Sequence, residues 1–353
     1  MLSKESLDFF KKLVESPSPS GFEQPAAKVF RDYVSKFSKV KVDVMGNSIA
    51  TLNEEAGLRI MLAGHIDQIG FLVNYVNDQG FLYLTQAGGP NVLTLIGARL
   101  KIHTKKGPIL GVFGAKTKHQ LEEEEAKKTY KLEDLWVDIG AKDKNDALSM
   151  ICVGDPVTFA DGFEELLGGR VIAPGFDDKV GAFVVAEVLK NLANENLDAA
   201  VYGVATVQEE LGLRGARTAA YGINPQVGIA IDVTFGNDYP GINKQKWGET
   251  DLDKGPVISR GGNINPKIYD TLVESAERLQ LPYQIDAQGS ATGTDANLMQ
   301  VNKEGMATGL VSVPLRYMHS QCEIVSLDDV ENTIYLLTEF IKSLKADTSF
   351  IPA

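Results

Sequence analysis

Carboxylates and imidazoles recur at one kind of place in this chain, the ends of short apolar runs. Ile60-Met61-Leu62-Ala63 leads straight into Gly64-His65-Ile66-Asp67, and Tyr202 to Gln208 leads into Glu209-Glu210. Val227 to Ile231 leads into Asp232, Pro314 to Met318 into His319, and Asp177-Asp178 opens a strongly helical stretch. Singly, each is accounted for by a turn, a cap or a buried hydrogen bond. Together, two histidines and several carboxylates without thiolate form a hard to borderline donor set, which suits a two-metal hydrolytic site better than structural zinc.

The spacings assign tasks. His65 and Asp67 are separated by one residue, so in an extended segment both side chains lie on one side, where Asp67 can accept the second ring N–H of His65. Of Asp177 and Asp178, one is expected to cap the helix, a contribution of about 1 kcal/mol. The other is then free to hold a cation, and its two oxygens suit it to bridging two. Two acids at the end of a buried strand are costly unless paired or metal-bound. In strand geometry Glu209 and Glu210 point to opposite sides, so one can ligate a metal while the other handles a proton. A retaining glycosidase pair needs carboxylates facing each other across about 5 Å, which strand neighbours do not easily provide.

Periodicity supplies the elements that must position these residues. Leu7, Phe10, Leu13 and Val14 predict an N-terminal helix, and Ala27, Phe30, Tyr33, Val34 and Phe37 a second, with the turn-rich 16–21 between them. Helices are expected at 178–193, 266–279 and 327–344, the last with Ser326 and Asp329 spaced as a variant capping box. Buried strands are expected at 60–63, 199–207 and 227–233, and ligands of open α/β sheets bind outside such carboxyl ends. Between about 70 and 165 short β-rich runs alternate with turns such as Asn77-Asp78-Gln79-Gly80. The simplest architecture is therefore an α/β domain interrupted by an all-β insert. The charged excursion of Glu122 to Glu125 with Lys127 and Lys128 reads as a solvated loop or helix.

Composition excludes partners more than it names a function. The 353 residues carry 35 Lys and Arg against 47 Asp and Glu, a formal charge of −12, which repels phosphate backbones and anionic lipid. Nucleic acid is not expected as a partner. Cys152 and Cys322 are the two cysteines and lie outside any CxxC pattern, which fits a reducing cytoplasm. The charged start lacks a secretory signal, and the apolar runs are far shorter than the roughly 20 residues that span a bilayer. With four histidines, a metal site must lean on carboxylates.

The ordered set Gly64-His65-Ile66-Asp67, Phe176-Asp177-Asp178-Lys179-Val180-Gly181, Gln208-Glu209-Glu210-Leu211-Gly212, Ile231-Asp232, Gly293-Thr294-Asp295-Ala296 and Pro314 to Ser320 resembles the M42 family of metallo-aminopeptidases. These are the tetrahedral (TET) or glutamyl aminopeptidases, also labelled endoglucanase M. The resemblance extends over nearly the whole chain, and Val137-Asp138-Ile139-Gly140-Ala141 and Val153-Gly154-Asp155 resemble the family's β domain. It implies a mixed twisted sheet with helices on both faces, as in zinc peptidases, formed by residues 1–69 and 166–353. The 70–165 insert would be barrel-like and serve dimerisation and assembly into a dodecamer. It also implies two divalent ions per subunit, zinc or cobalt, with His65, Asp177 and Asp232 on one and Asp177, Glu210 and His319 on the other. Glu209 would be the general base toward the bridging water, Asp67 the partner of His65, and short peptides the substrates. A deacylase or carboxypeptidase of small amides, a glycosidase and a non-catalytic assembly protein are the alternative readings. Where relatives carry a Lys-Pro-x-His-like segment this chain has Lys116-Thr117-Lys118-His119, so no role is carried over to His119; it and His103 read as structural or surface residues.

Overall fold

The computed structural model describes residues 2–124 and 127–352, so Glu125 and Ala126 of the charged excursion lie outside the described residues. The N-terminal periodicity is realised as α1 (Lys4–Glu15), whose N-cap Ser3 accepts from the Ser6 N–H, and α2 (Gln24–Val34). Phe9, Phe10, Leu13, Phe30 and Tyr33 face inward from this pair. The chain then runs through β1 (Lys39–Val42), β2 (Ser48–Leu52) and β3 (Leu58–His65). Next come β4 (Gly70–Val76), β5 (Leu82–Ala87), β6 (Arg99–Thr104), β7 (Gly107–Gly114), β8 (Trp136–Asp138), α3 (Lys144–Met150) and β9 (Pro156–Phe159).

Those six strands close on themselves as a barrel in the order β4-β5-β8-β7-β6-β9. A closed sheet has no unpaired edge, and its interior is filled by side chains of its own. Phe71 sits edge-on to Phe113 and Phe159, with centroids 5.3 and 5.9 Å away, in a hydrophobic cluster distinct from the larger core. The β-rich texture of the sequence predicts this unit.

The remaining elements return to one large mixed sheet. They are β10 (Glu164–Glu165), β11 (Arg170–Ala173), α4 (Phe176–Leu192), β12 (Ala199–Thr206), α5 (Arg214–Ile223), β13 (Val227–Phe235) and α6 (Lys244–Trp247). After these follow β14 (Val257–Gly261), α7 (Pro266–Leu279), β15 (Gln284–Gln288), α8 (Asp295–Gln300), β16 (Ala307–Arg316), β17 (Glu323–Ser326) and α9 (Leu327–Ser343). The sheet order is β1-β2-β12-β3-β13-β16-β17-β11-β10, with β14 and β15 branching from β16. Its centre, β12-β3-β13-β16, is parallel throughout, so four carboxyl ends open on the same edge.

Helix α4 packs against that centre and is buried on all sides except at Lys190 and Asn191, as expected of an apolar helix in a domain interior. Its start approaches β3 through two glycines. A Cβ on Gly64 would lie 2.3 Å from the Gly181 carbonyl carbon, and one on Gly181 would lie 2.3 Å from Asp178 Oδ2. At α9 the capping box is not formed: the Ser326 side chain makes no capping bond. Asp329 instead accepts from the N–H groups of Asp253 and Gly255, both at 2.7 Å. Its carboxylate is taken by the loop before β14, a long-range partner that helical spacing does not show. Among the described residues no helix is long and apolar enough to cross a membrane.

Candidate metal centre

His65 is the last residue of β3, and its N–H donates to Asp178 Oδ2 at 3.0 Å. The other Asp178 oxygen accepts the Gly181 N–H at 2.9 Å. Asp178 is thus the member of the pair that caps, and Asp177 is left to face the cleft, the division of labour expected from the helix start. Asp177 and Asp178 themselves have non-helical backbone angles, so the regular helix begins after them.

The His65 ring is oriented through its Nδ1, which lies 2.9 Å from the carbonyl oxygen of Asp67 and 3.5 Å from the carboxylate Oδ1. The i, i+2 spacing predicts orientation by the carboxylate, whereas the backbone of the same residue makes the closer contact. The Asp67 carboxylate accepts from Ser20 Oγ at 2.6 Å and from the N–H groups of Glu209 and Glu210 at 3.0 and 3.2 Å. It holds the turn that presents both glutamates. That turn also replaces the expected strand geometry: β12 ends at Thr206, and Gln208 adopts φ 55°, a left-handed conformation uncommon outside glycine. The two glutamates diverge because of this turn, not because of strand alternation.

Asp232 stands inside β13, which continues to Phe235, rather than at a strand end. His319 follows β16 with φ 62°. His65 Nε2 lies 3.1 Å from Asp177 Oδ1, 3.8 Å from Glu209 Oε2 and 4.0 Å from Asp232 Oδ1. His319 Nε2 lies 3.2 Å from Asp177 Oδ2 and 3.4 Å from Glu210 Oε1. The two oxygens of Asp177 therefore face two different imidazoles. Ligand atoms about 2.0–2.2 Å from a tetrahedral ion stand roughly 3.4 Å from one another, close to the shorter of these spacings. Two sets of donor atoms, from His65, Glu209 and Asp232 and from Asp177, Glu210 and His319, each fit within 4.8 Å. Among the described residues the buried Glu210 Oε1 has no hydrogen-bond partner beyond its 3.4 Å approach to the His319 ring, as a carboxylate kept for a cation would be.

Burial raises the Glu209 carboxyl to about 10 against the opposing charge of His65, with Asp232 adding to the rise. Asp232 is likewise pushed up to about 8, chiefly by burial. Burial alone would lower His319, yet the carboxylates of Asp177 and Glu210 carry it to about 11. The ring partners hold Asp177 well below the carboxylate range against its own burial. At neutral pH the ion-free cluster accordingly retains protons that ligands must lose. Zinc binding to the stripped protein should therefore release protons, and affinity should rise with pH between 6 and 8. Calorimetry in buffers of different ionisation enthalpy measures both.

Glu323, at the start of β17, is a positioning residue that strand and helix patterns do not single out. It is fully buried; Oε2 accepts the Asp177 N–H at 3.2 Å and Oε1 accepts the His319 N–H at 2.9 Å. Asp295, which stood in one of the quoted motifs without a role, accepts from Thr206 Oγ1 at 2.6 Å beside the turn of Glu209. His103 bonds Thr158 Oγ1 at 2.8 Å, and His119 is exposed on a short 3-10 turn; neither belongs to the cluster. The five predicted ligands and Glu209 all line one open cleft of about 480 Å³, which Phe235, Trp247, Asp286 and Gln288 also line.

Comparison with known proteins places the chain in a family. The family model for M42 glutamyl aminopeptidase matches residues 46–336. A lysyl aminopeptidase of Pyrococcus furiosus is 38% identical over 96% of this chain and 97% of its own length. The crystal structure of a TET aminopeptidase from a marine-sediment Thaumarchaeota archaeon superposes with a TM-score of 0.93 at 33% identity, covering 97% of each chain. The TET1 peptidase of Pyrococcus horikoshii, which can assemble into a tetrahedron or a large octahedral shell, gives 0.85 at 32% identity, covering 96% of this chain and 100% of its own. With the family model matching residues 46–336 and relatives and solved structures aligned over nearly its full length, the chain belongs to the M42 glutamyl aminopeptidase family of peptide hydrolases.

Proposed function

We propose that this peptide hydrolase is a dinuclear metal-dependent aminopeptidase that removes N-terminal residues from short peptides. The observation that carries the reading is Asp177, a single carboxylate whose two oxygens lie 3.1 and 3.2 Å from two separate imidazoles. His65, Asp177 and Asp232 would hold one ion and Asp177, Glu210 and His319 the other. When bound, two such ions, zinc or cobalt, would supply Lewis-acid chemistry, a lowered pKa for water and polarisation of the scissile carbonyl. Glu209 takes the proton of the attacking water and passes it to the leaving amine. Asp67 positions Glu209 and Glu210 through their N–H groups, and Glu323 positions Asp177 and His319 in the same way. The carboxylates around the cleft favour a free α-ammonium on the substrate.

A panel of aminoacyl amides and dipeptides, each with a free or an acetylated α-amine, tests this with metal-stripped protein and single metals added back. Hydrolysis is expected of the free amines alone, and only after metal is restored. Equal cleavage of the acetylated compounds would point to a deacylase, and glycoside cleavage that survives chelator would point to a glycosidase.

We assign residues 1–69 and 166–353 to catalysis and 70–165 to assembly. Leu110 and Val112 alternate outward along β7, 62% and 39% exposed, and larger exposed apolar surface marks association sites. Light scattering is expected to show a homo-oligomer of up to twelve subunits, and a monomer at micromolar concentration would remove the insert's assembly role.

A further inference from the structure

The two donor sets are built differently. His65 is held by Asp178 at the start of α4 and by Asp67 in the connector after β3, and Asp232 is carried by β13, so among the described residues the hydrogen bonds that hold the His65 ring and N–H come from outside the barrel strands and the loop after β5. The second set has a neighbour from the other unit. Immediately after the barrel strand β5, Gly88 to Asn91 crosses to the cleft. The Gly89 carbonyl lies 2.8 Å from His319 Nδ1, and the Asn91 N–H donates to the His319 carbonyl at 2.9 Å. With its own N–H given to Glu323, His319 is fixed at its ring, its N–H and its C=O, although its φ of 62° is one that few side-chain-bearing residues adopt. A ring nitrogen that donates to a carbonyl leaves the other as the metal donor, and here that is the Nε2 facing Asp177 and Glu210.

The same loop touches the second carboxylate. Gly88 has φ 78°, and a Cβ placed on it would lie 2.9 Å from Glu210 Oε2, 3.0 Å from Ile69 Cγ2 and 3.2 Å from Glu210 Cβ. No side chain fits there without displacing Glu210. We propose that the barrel loop Gly88–Asn91 completes the second metal site, acting as the positioning element for His319 and Glu210, so that this site depends on the seating of the barrel and the first does not. The inference rests on the two-metal reading above.

The experiment is titration of stripped full-length protein with Zn²⁺ against a chromogenic chelator, which reads the number and affinity of sites without reference to turnover. Wild type is expected to show two sites. Gly88→Ala is expected to keep one and to weaken the other by about tenfold or more, the range seen when a ligand loses its outer partner. Gly97→Ala is the control: Gly97 lies in the same unit at φ 84°, with open space where a Cβ would go. It carries the same backbone strain without the contact and is expected to keep both sites. Two sites in Gly88→Ala within twofold of wild type would overturn the proposal, as would equal loss in Gly97→Ala. One site in wild type would instead overturn the two-metal reading itself.

Should Gly88→Ala fail to fold, Asn91 offers a second pair. Its φ of −73° suits proline, and both Asn91→Pro and Asn91→Ala lose the side-chain cap on the Leu93 N–H. The proline variant alone loses the N–H bonded to His319. A weaker second site in Asn91→Pro than in Asn91→Ala supports the proposal, and equal affinities overturn it.

Discussion

Glu209→Gln is expected to lower kcat by a factor of about 10²–10⁴, the usual contribution of a positioned general base, while both metal ions stay bound. Glu209 is buried, with Oε2 3.8 Å from His65 Nε2 and its backbone N–H tied to Asp67. Without metal, burial and the neighbouring Asp232 hold its carboxyl protonated, raised to about 10. On the proposed mechanism the positive charge of a loaded site would reverse that balance and make the carboxylate available to take a proton. Glutamine keeps the shape and the turn but has no basic oxygen of comparable strength, so KM should change little while kcat falls. Steady-state kinetics and metal content measured on one preparation decide the matter. Unchanged turnover would remove Glu209 from the mechanism. Loss of metal in parallel with turnover would make it a ligand, a role its distance from His65 and Asp232 also allows.

The acids and histidines of this site are legible in the sequence because β-sheet chemistry concentrates them. Most of them follow or end an apolar run, and parallel strands bring such ends together on one edge. His65, Glu209, Glu210 and His319 follow that rule, and even Asp232, placed inside its strand, opens on the same edge. The partners that hold them are less legible, since they arrive from distant segments through backbone groups. Nothing in local spacing connects Glu323 to the Asp177 N–H, or Gly89 to the His319 ring. The same limit explains α9, where Asp329 fits a capping position by spacing and is claimed by the loop before β14. It explains Asp67 too: its alternation with His65 is real, but a hydroxyl and two N–H groups from elsewhere compete for its carboxylate. The barrel was readable as texture because turns and alternation are local, whereas its closure through the β4–β9 pairing is not.

Asp177→Ala and Asp178→Ala are expected to fail in different ways although the residues are adjacent. Asp177 shares its oxygens between the rings of His65 and His319, so on the two-metal proposal its removal would strip one ligand from each ion. Binding of both ions should weaken, and activity should fall by about 10⁴-fold or more, since metal polarisation is worth several kcal/mol of barrier. In the ion-free protein the Asp177 oxygens pair with the rings of His65 and His319, so some stability is lost as well, and the fall in zinc affinity is what marks this variant. Asp178 does not line the cleft and accepts the N–H groups of His65 and Gly181. Its truncation leaves two buried donors unpaired at the junction of β3 and α4, at a cost on the order of 2 kcal/mol in unfolding free energy. Denaturant unfolding of the stripped variants, paired with zinc titration, separates the two outcomes. A stability loss in Asp177→Ala with metal retained would assign the bridging role to its neighbour. Metal loss in Asp178→Ala at wild-type stability would do the same.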